Sequence, residues 1–370
     1  MPVRSLIACL GLSAIAIPAT ASRAAAQGAP SGTFYVGTYS DKILVIDEQS
    51  MAVRDTIKLS IGIPTDMILS ADRSRMYVLN PKLDEVEIVD IATRKATGKF
   101  TLSTPGTMVQ IWGINVDPKE RYAVLLVKSY AKKIDRYEIS RPVLLRYDLA
   151  KRAVTDTIPW PQDEERDRAQ IIFSPAGDLM YFFTSTDVLV YDAVTLKQVD
   201  RWDLAQSFYE EGIGRINANF GADPYDEPGF YTNLFRVSDP VNRRLLMGVA
   251  RIDLANRSVD YYTLGPSVGT SFRLTPDKRR AYGIQSEVGN YQFWTFDLEN
   301  RRVVGKTQFD GRPRMGLSVG TNGDRLYIYV AGNTIDVYET GTFRKLNTVT
   351  LDFDMTDTVF IPGRPAGAGR

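Results

Sequence analysis

The chain has 370 residues, with 45 Lys and Arg against 44 Asp and Glu, no histidine and one cysteine, Cys9. This balance lacks the basic excess of a nucleic-acid-binding surface, so no nucleic acid is expected among its partners. The usual ligands of zinc, copper, haem and iron–sulfur sites are almost entirely missing, and so are the Ser-His-Asp and Cys-His nucleophile systems. We therefore assign no metal site and no catalytic residue.

Residues 1–26 have the pattern of a cleaved secretory signal peptide. Arg4 provides the positive start, an apolar run extends from Leu6 to Ile17, and small residues suited to cleavage follow it. The run is shorter than the roughly 20 residues that a membrane-spanning helix requires. We expect a periplasmic or secreted mature chain with no membrane span after cleavage; an uncleaved anchor is the alternative.

One short phrase recurs seven times after this leader: an apolar, β-rich stretch that ends in an acidic residue, then a turn and another strand. The acidic residues are Asp47, Asp90, Asp148, Asp192, Asp253, Asp297 and Glu339. Most steps between them are about 43 residues, a period typical of the four-stranded blades of a β-propeller. We interpret the acidic residues as structural, ending strands by accepting hydrogen bonds from turn N–H groups.

A second repeated element, a tight turn followed by a strand, precedes each phrase by about 20 residues. It is clearest at 70–80, 174–185, 275–286 and 320–332, with a looser copy at 117–129. Each blade is thus predicted to have an inner strand, a second strand, a third strand that ends in the acidic residue, and an outer strand.

The two ends of the repeat predict how the ring closes. The first copy starts at Phe34 without an inner strand, and the last copy leaves a surplus strand at 355–361. Pairing these strands predicts an all-β, seven-bladed β-propeller over residues 27–363, with a disordered tail at 364–370. Closure also hides sheet edges that would otherwise promote aggregation. An open arc of six and a half blades is the alternative.

The steps that end at Asp148 and Asp253 are longer than the others, and we place the extra residues between the second and third strands of blades 3 and 5. These inserts, 130–141 and 223–244, are expected on one rim, on either side of blade 4. Loops on a rigid scaffold commonly carry binding residues. Tyr130, Asp226 and Tyr231 are the candidate partner contacts; loop growth without a function is the alternative.

Period-two alternation along the inner strands predicts which residues face the central channel. The more polar set points there, and its charged candidates, with two arginines just upstream, are Asp66, Arg168, Arg273 and Arg314. Such a channel mouth could bind an anionic ligand or an acidic residue of a partner. Alternatively, these groups pair with one another, since polar channels are common in propellers.

Several segments resemble a known family. Residues 43–57, 100–106, 136–149 and 230–240 are similar to the β subunit of quinohemoprotein amine dehydrogenase, and nearly all of the mature chain resembles YVTN (YncE-type) seven-bladed propellers. The resemblance implies a non-catalytic scaffold subunit of a periplasmic complex that binds no cofactor itself. Haem c and a tryptophan-derived quinone are then expected on partner subunits.

Two other functions are compatible with the sequence. One is a stand-alone YncE-type binding or scaffold propeller with its ligand or partner at the channel mouth. The other is a lactonase- or lyase-like propeller enzyme that relies on carboxylates and tyrosine. Fold alone does not distinguish them, because propellers carry many unrelated functions.

Overall fold

The structure is a computed structural model that describes residues 31–160, 170–183, 187–204, 216–218, 227–330 and 332–363. The predicted signal peptide, the predicted tail, Arg168 and Asp226 lie outside the described residues. Within these ranges the chain is built from strands and turns, and it contains no helix long and apolar enough to cross a membrane.

The strands follow the order that the repeats predict. Blades 1 to 3 contain β1 (Thr33–Thr38), β2 (Lys42–Asp47), β3 (Val53–Lys58), β4 (Asp66–Leu69), β5 (Arg75–Leu79), β6 (Glu85–Asp90), β7 (Lys95–Thr101), β8 (Thr107–Val116), β9 (Tyr122–Lys132), β10 (Tyr137–Ile139), β11 (Val143–Asp148) and β12 (Ala153–Ile158). Blades 4 and 5 contain β13 (Gln170–Phe173), β14 (Leu179–Phe183), β15 (Asp187–Asp192), β16 (Gln198–Asp203), β17 (Ile216–Ala218), β18 (Phe230–Asp239), β19 (Arg244–Asp253) and β20 (Ser258–Pro266). Blades 6 and 7 contain β21 (Arg273–Leu274), β22 (Arg280–Glu287), β23 (Asn290–Asp297), β24 (Arg302–Gln308), β25 (Gly316–Val319), β26 (Arg325–Tyr329), β27 (Thr334–Glu339) and β28 (Lys345–Thr350), and β29 (Met355–Ile361) follows.

Seven antiparallel sheets result, six of four strands and one of five, so the predicted seven-bladed β-propeller is confirmed. Blade 1 has the order β29-β1-β2-β3, and blades 2 and 4 to 7 are formed by consecutive strands. Blade 3 differs, because β9 pairs with β8 on one side and with both β11 and the additional strand β10 on the other.

The hydrophobic core lies in layers between neighbouring blades, because each strand presents alternate side chains to its two faces. Strand β5 is an example. Met76 and Val78 pack in the layer shared with blade 1, whereas Tyr77 and Leu79 pack in the layer shared with blade 3. Alternation within a strand thereby joins every blade to both of its neighbours.

The repeated acidic residues have the predicted structural role at six of the seven turns. Asp253 is representative: its Oδ1 accepts hydrogen bonds from the N–H groups of Ala255 and Asn256, both at 3.0 Å. The other five aspartates accept in the same way. Four residues after each acidic residue the backbone has a positive φ, at Met51, Arg94, Arg152, Leu196, Arg257, Arg301 and Phe343. A tight turn that ends in a left-handed residue is a common hairpin connection, and it explains why the repeat spacing is fixed here.

The ring closes as predicted, by pairing of the C-terminal strand β29 with β1 in the register Phe34↔Phe360 and Tyr35↔Val359. The buried carboxylate of Glu48 also supports this closure, through hydrogen bonds between blades 1 and 7. Glu48 of blade 1 accepts hydrogen bonds from the Thr321 N–H (2.9 Å) and the Tyr327 hydroxyl (3.1 Å) of blade 7. Blade 1 is therefore joined to blade 7 both through its innermost strand and through a carboxylate.

The predicted position of the blade 5 insert was correct only in part. Strands β18 and β19 have ten residues each, so the hairpin of the second and third strands is longer than in most blades. Residues 230–239 of the supposed loop form the second strand of the blade, β18, whose apolar side chains alternate into the core, and only 240–243 join it to β19. Asp239 ends this strand by accepting hydrogen bonds from Asn242 and pairing with Arg244. Residues 227–229 belong to the connection between first and second strands, which lies on the opposite rim.

Candidate functional site

Blade 3 carries the most prominent departure from the regular ring. Strands β8 and β9 are much longer than most of their counterparts in other blades, and β10 folds back on the end of β9 with Ile139 opposite Tyr130 and Tyr137 opposite Lys132. On the other side of β9, Met108 lies opposite Tyr130. The insert predicted at 130–141 is thus a sheet rather than a loop. We call residues 107–112 and 128–139 the blade-3 extension.

One face of the blade-3 extension is rich in aromatic and basic side chains. Directly opposed residues of antiparallel strands lie on the same face of a sheet. This rule, together with the contacts of Trp112, places eight residues on what we call the aromatic face: Met108, Gln110, Trp112, Lys128, Tyr130, Lys132, Tyr137 and Ile139. The exposed fractions of Tyr137, Ile139 and Trp112 are 63%, 59% and 44%.

Trp112 is held in place by its neighbours on this face. It lies where the β8–β9 register shifts, between Ile111 and Gly113. Its indole N–H donates to the Gln110 side-chain oxygen at 3.1 Å, and the Lys128 Nζ lies 5.4 Å from the centre of its ring. A cation above an aromatic ring is weakly favourable in water and more so when water is excluded. The indole is therefore presented in a fixed orientation.

The charges of the extension are divided between its two faces. At the tip, Lys133 pairs with Glu138 (3.3 Å), and Arg136 pairs with Asp135 and Glu138. Glu138 alternates with Tyr137 and Ile139 and so belongs to the opposite face. Lys128 and Lys132 pair with no acidic group in the part of the chain that the structure describes. Within the described ranges, the positive charge of the aromatic face is therefore uncompensated.

The central channel contains a pair of carboxylates, one of which the sequence analysis missed. Asp66 of β4 and Asp357 of β29 lie on the innermost strands of adjacent blades, and the Met67 N–H donates to Asp357 Oδ2 at 2.9 Å. Burial raises the pKa of Asp357 to about 6, and the charge of Asp66 acts in the same direction. Burial also raises the pKa of Asp66. Period-two alternation along β29 groups Asp357 with Val359 and Ile361, which pack between blades 1 and 2, so this pattern did not indicate a channel carboxylate.

Of the predicted channel arginines, the structure describes Arg273 and Arg314, and it places them at different levels of the channel wall. Arg273 lies next to the turn that ends β21, and its guanidinium donates to the carbonyl oxygens of Leu317 and Phe272, both at 3.3 Å. It thereby links the inner strands of blades 6 and 7. Arg314 lies before β25, near the other end of the channel wall, and is exposed with a positive φ of 57°.

Tyr130 and Tyr231, the two predicted tyrosine contacts, have different environments. Tyr130 is half-buried on the aromatic face, whereas Tyr231 is buried in the layer between blades 4 and 5, its ring centre 4.8 Å from that of Phe183. The binding roles assigned to the candidate residues remain predictions. Among the described residues, no group of three or more His, Cys, Asp or Glu is placed to hold a metal ion.

Comparison with known proteins identifies the fold and no family. No protein-family model matches the chain, and no curated protein matches it. Among solved structures, a functionally unknown protein from Desulfotomaculum acetoxidans is 13% identical, with a TM-score of 0.54, and the match covers 90% of this chain and 99% of that one. Apo AztD from Citrobacter koseri is 12% identical, with a TM-score of 0.51 and coverage of 91% and 99%. Dihydro-heme d1 dehydrogenase NirN is 10% identical, with a TM-score of 0.50 and coverage of 88% and 74%. Identities this low indicate a shared fold alone.

Proposed function

We propose that this chain is an exported, non-catalytic scaffold subunit of a periplasmic complex of the quinohaem amine dehydrogenase type. The observation that carries the proposal is the blade-3 extension, which adds a fifth strand and an exposed aromatic face to one blade of the ring. Added structure on a rigid scaffold is where proteins commonly bind their partners. The scarcity of Cys and His leaves redox chemistry to partner subunits that carry haem c and a tryptophan-derived quinone.

Purification of the tagged chain from its native host under mild conditions tests this proposal. We expect the chain in the periplasmic fraction, with a visible spectrum showing haem bands and a small co-purifying subunit that stains for quinone on a gel. The same tag on an unrelated exported protein is the control. A colourless preparation that contains this chain alone would contradict the proposal.

A second candidate is a stand-alone binding propeller with its ligand in the channel, and the Asp66–Asp357 pair favours it. Two neighbouring carboxylates attract cations, so a small cationic ligand fits this pair better than an anionic one. Thermal denaturation in the presence of a panel of small amines tests this function. We expect an amine that stabilises the native chain to lose its effect in Asp66→Asn, while Asp352→Asn retains it. Stabilisation by no amine, or equal stabilisation of both variants, would contradict this second function.

A further inference from the structure

We infer that the aromatic face of the blade-3 extension is a docking surface for an acidic protein partner. The inference deepens the proposed function, on which it rests, by identifying the surface and the chemistry of what binds there. It assigns Tyr137, Ile139 and Trp112 to the apolar centre of the interface. Lys128 and Lys132 are assigned to ion pairs with carboxylates of the partner.

The composition of this face is that of an interface core. Tyr, Trp and Met are enriched at protein–protein interfaces, whereas contiguous exposed apolar patches are unusual on monomers. Tyr137 and Ile139 expose more than half of their surface, although strand residues of this type are usually buried. On the opposite face of the same sheet the apolar side chains are covered: Val109 and Ile111 pack into the layer with blade 2. The exposed apolar and aromatic side chains of β8 to β10 therefore lie on one face.

Charge decides which kind of partner fits. The acids of the extension are neutralised locally by Lys133 and Arg136, while Lys128 and Lys132 have no acidic partner among the described residues. A partner with carboxylates around an apolar centre would complement them and would be attracted over a distance. A second copy of this chain would bring lysine to lysine across a two-fold interface, which is unfavourable.

A membrane surface fits less well than a protein. Ile134 at the tip is completely exposed, but Lys133, Asp135 and Arg136 surround it. Segments that insert into a bilayer surface bury an apolar side and keep acidic groups in water, whereas this tip carries Asp135. The apolar residues instead lie along the flat side of the sheet, where another protein can pack against them.

Carbodiimide cross-linking of the natively purified complex tests the surface directly, because it joins a lysine amine to a carboxylate that forms an ion pair with it. We expect Lys128 and Lys132 to be joined to Asp or Glu of the co-purified subunit, as identified by mass spectrometry. Raising the salt to about 0.5 M should abolish the products, since it screens such pairs. Cross-links of the partner to Lys99 or Lys345 alone would overturn the inference. So would products of Lys128 and Lys132 only with a second copy or with residues 161–169 of the same chain.

Substitutions give an independent readout. Tyr137→Ser combined with Ile139→Ser should lower recovery of the partner at least tenfold, because apolar anchors at the centre of an interface dominate affinity. Val199→Ser, at an exposed apolar residue of β16, is the matched control and should retain the partner. The melting temperature of both variants should be close to that of the native chain.

The outcomes separate the two proposals. Full recovery of a haem-bearing partner with the double variant would overturn the docking surface and leave the proposed function intact. Absence of any partner with the native chain would overturn both. Binding of the native chain to vesicles of anionic lipid, lost in the double variant while partner recovery persists, would assign the surface to a membrane and overturn the inference.

Discussion

In each of six blades, one aspartate carboxylate organises the turn between the third and outer strands. Asp253 accepts two turn N–H groups and a hydrogen bond from the Asn256 side chain, and these bonds lower the pKa of its carboxyl. Four residues later, Arg257 has the left-handed backbone, with a φ of 55°, that completes the turn. Short-range hydrogen bonds thus fix the connection between third and outer strands, and this explains why the motif is visible in the sequence.

Replacing such a carboxylate should therefore weaken the blade. We expect Asp253→Ala to lower the urea concentration at the midpoint of unfolding by a few tenths of a molar unit, because turn N–H groups lose their acceptor. Urea denaturation at pH 7 measures the change. Asp352→Ala, an exposed acid outside the turns, is the control, and equal stability of the two variants would contradict the structural role of Asp253.

A glycine in the tight turn of blade 4 is required for a different reason. Gly177 has a φ of +70°, and a Cβ added there would lie 2.7 Å from Asp117 Oδ1. Asp117 is buried and forms an ion pair with Arg121, whose guanidinium also donates to the Gly177 carbonyl. A side chain at 177 would therefore disturb a contact between blades 3 and 4 as well as the turn itself.

We expect Gly177→Ala to destabilise the protein by about 1–2 kcal/mol, from backbone strain and the close contact together. The melting temperature in a thermal scan provides the measurement. Gly341→Ala is the matched control, since an added Cβ there meets nothing within 4 Å and the backbone is not left-handed. A similar loss in both variants would mean that Gly177 has no special requirement.

At the scale of secondary-structure elements, ring closure depends on residues far apart in the chain. Besides its bonds to Thr321 and Tyr327, the Glu48 carboxylate accepts the Gly32 N–H at 2.6 Å. All of these groups are buried or half-buried, so removal of the carboxylate would leave several donors without an acceptor. Such groups are costly in a protein interior.

We expect Glu48→Ala to lower the free energy of unfolding by roughly 2–4 kcal/mol, the range for loss of a buried, multiply bonded acceptor. Native-state hydrogen exchange should show the largest increase at the contact of β1 with β29 and in blade 7. Glu287→Ala, an exposed residue at the end of β22, is the control. Uniform exchange rates across all blades would argue against a local role in closure.

At the scale of the whole molecule, closure of the ring places two carboxylates in one channel. The folded pKa of Asp357, about 6, exceeds its ordinary value of 3.8, so folding favours the protonated form. The contribution of Asp357 to the free energy of unfolding is therefore fully present below about pH 3.8. It is lost as the pH rises through about 6. The Asp66–Asp357 pair therefore makes ring closure less favourable at neutral pH.

Asp357→Asn should remove this dependence while retaining an oxygen that accepts the Met67 N–H. We expect the variant to gain stability relative to the native chain between pH 4.5 and 7.5, by on the order of 1 kcal/mol because the site is only partly shielded from water. Urea denaturation of both proteins across this range gives the difference. A stability difference that does not change with pH would contradict the coupling.

The blades themselves could be predicted from the sequence, because their signals are local. The acidic residues that end third strands, the tight turns that precede second strands and the surplus strand at 355–361 predicted seven blades and their closure. Blade 5 was misread in part for the same reason. Its turn-forming residues around Asp223 and Pro228 resemble a hairpin loop, and only the pairing of β18 with β19 shows that the strand begins at Phe230.

The candidate sites depended on contacts that no local pattern contains. Sequence reasoning selected Asp66 and Tyr130 but missed a neighbour of each. Asp357, the neighbour of Asp66, is 290 positions along the chain from Met67, whose N–H it accepts. Trp112 shares the aromatic face with Tyr130 only because of a register shift between β8 and β9. The bond of Arg273 to the Leu317 carbonyl likewise depends on the approach of two blades. Turns and strands form from neighbouring residues, so the sequence by itself determined the fold; closure of the ring and pairing across β9 decided which distant side chains share a surface.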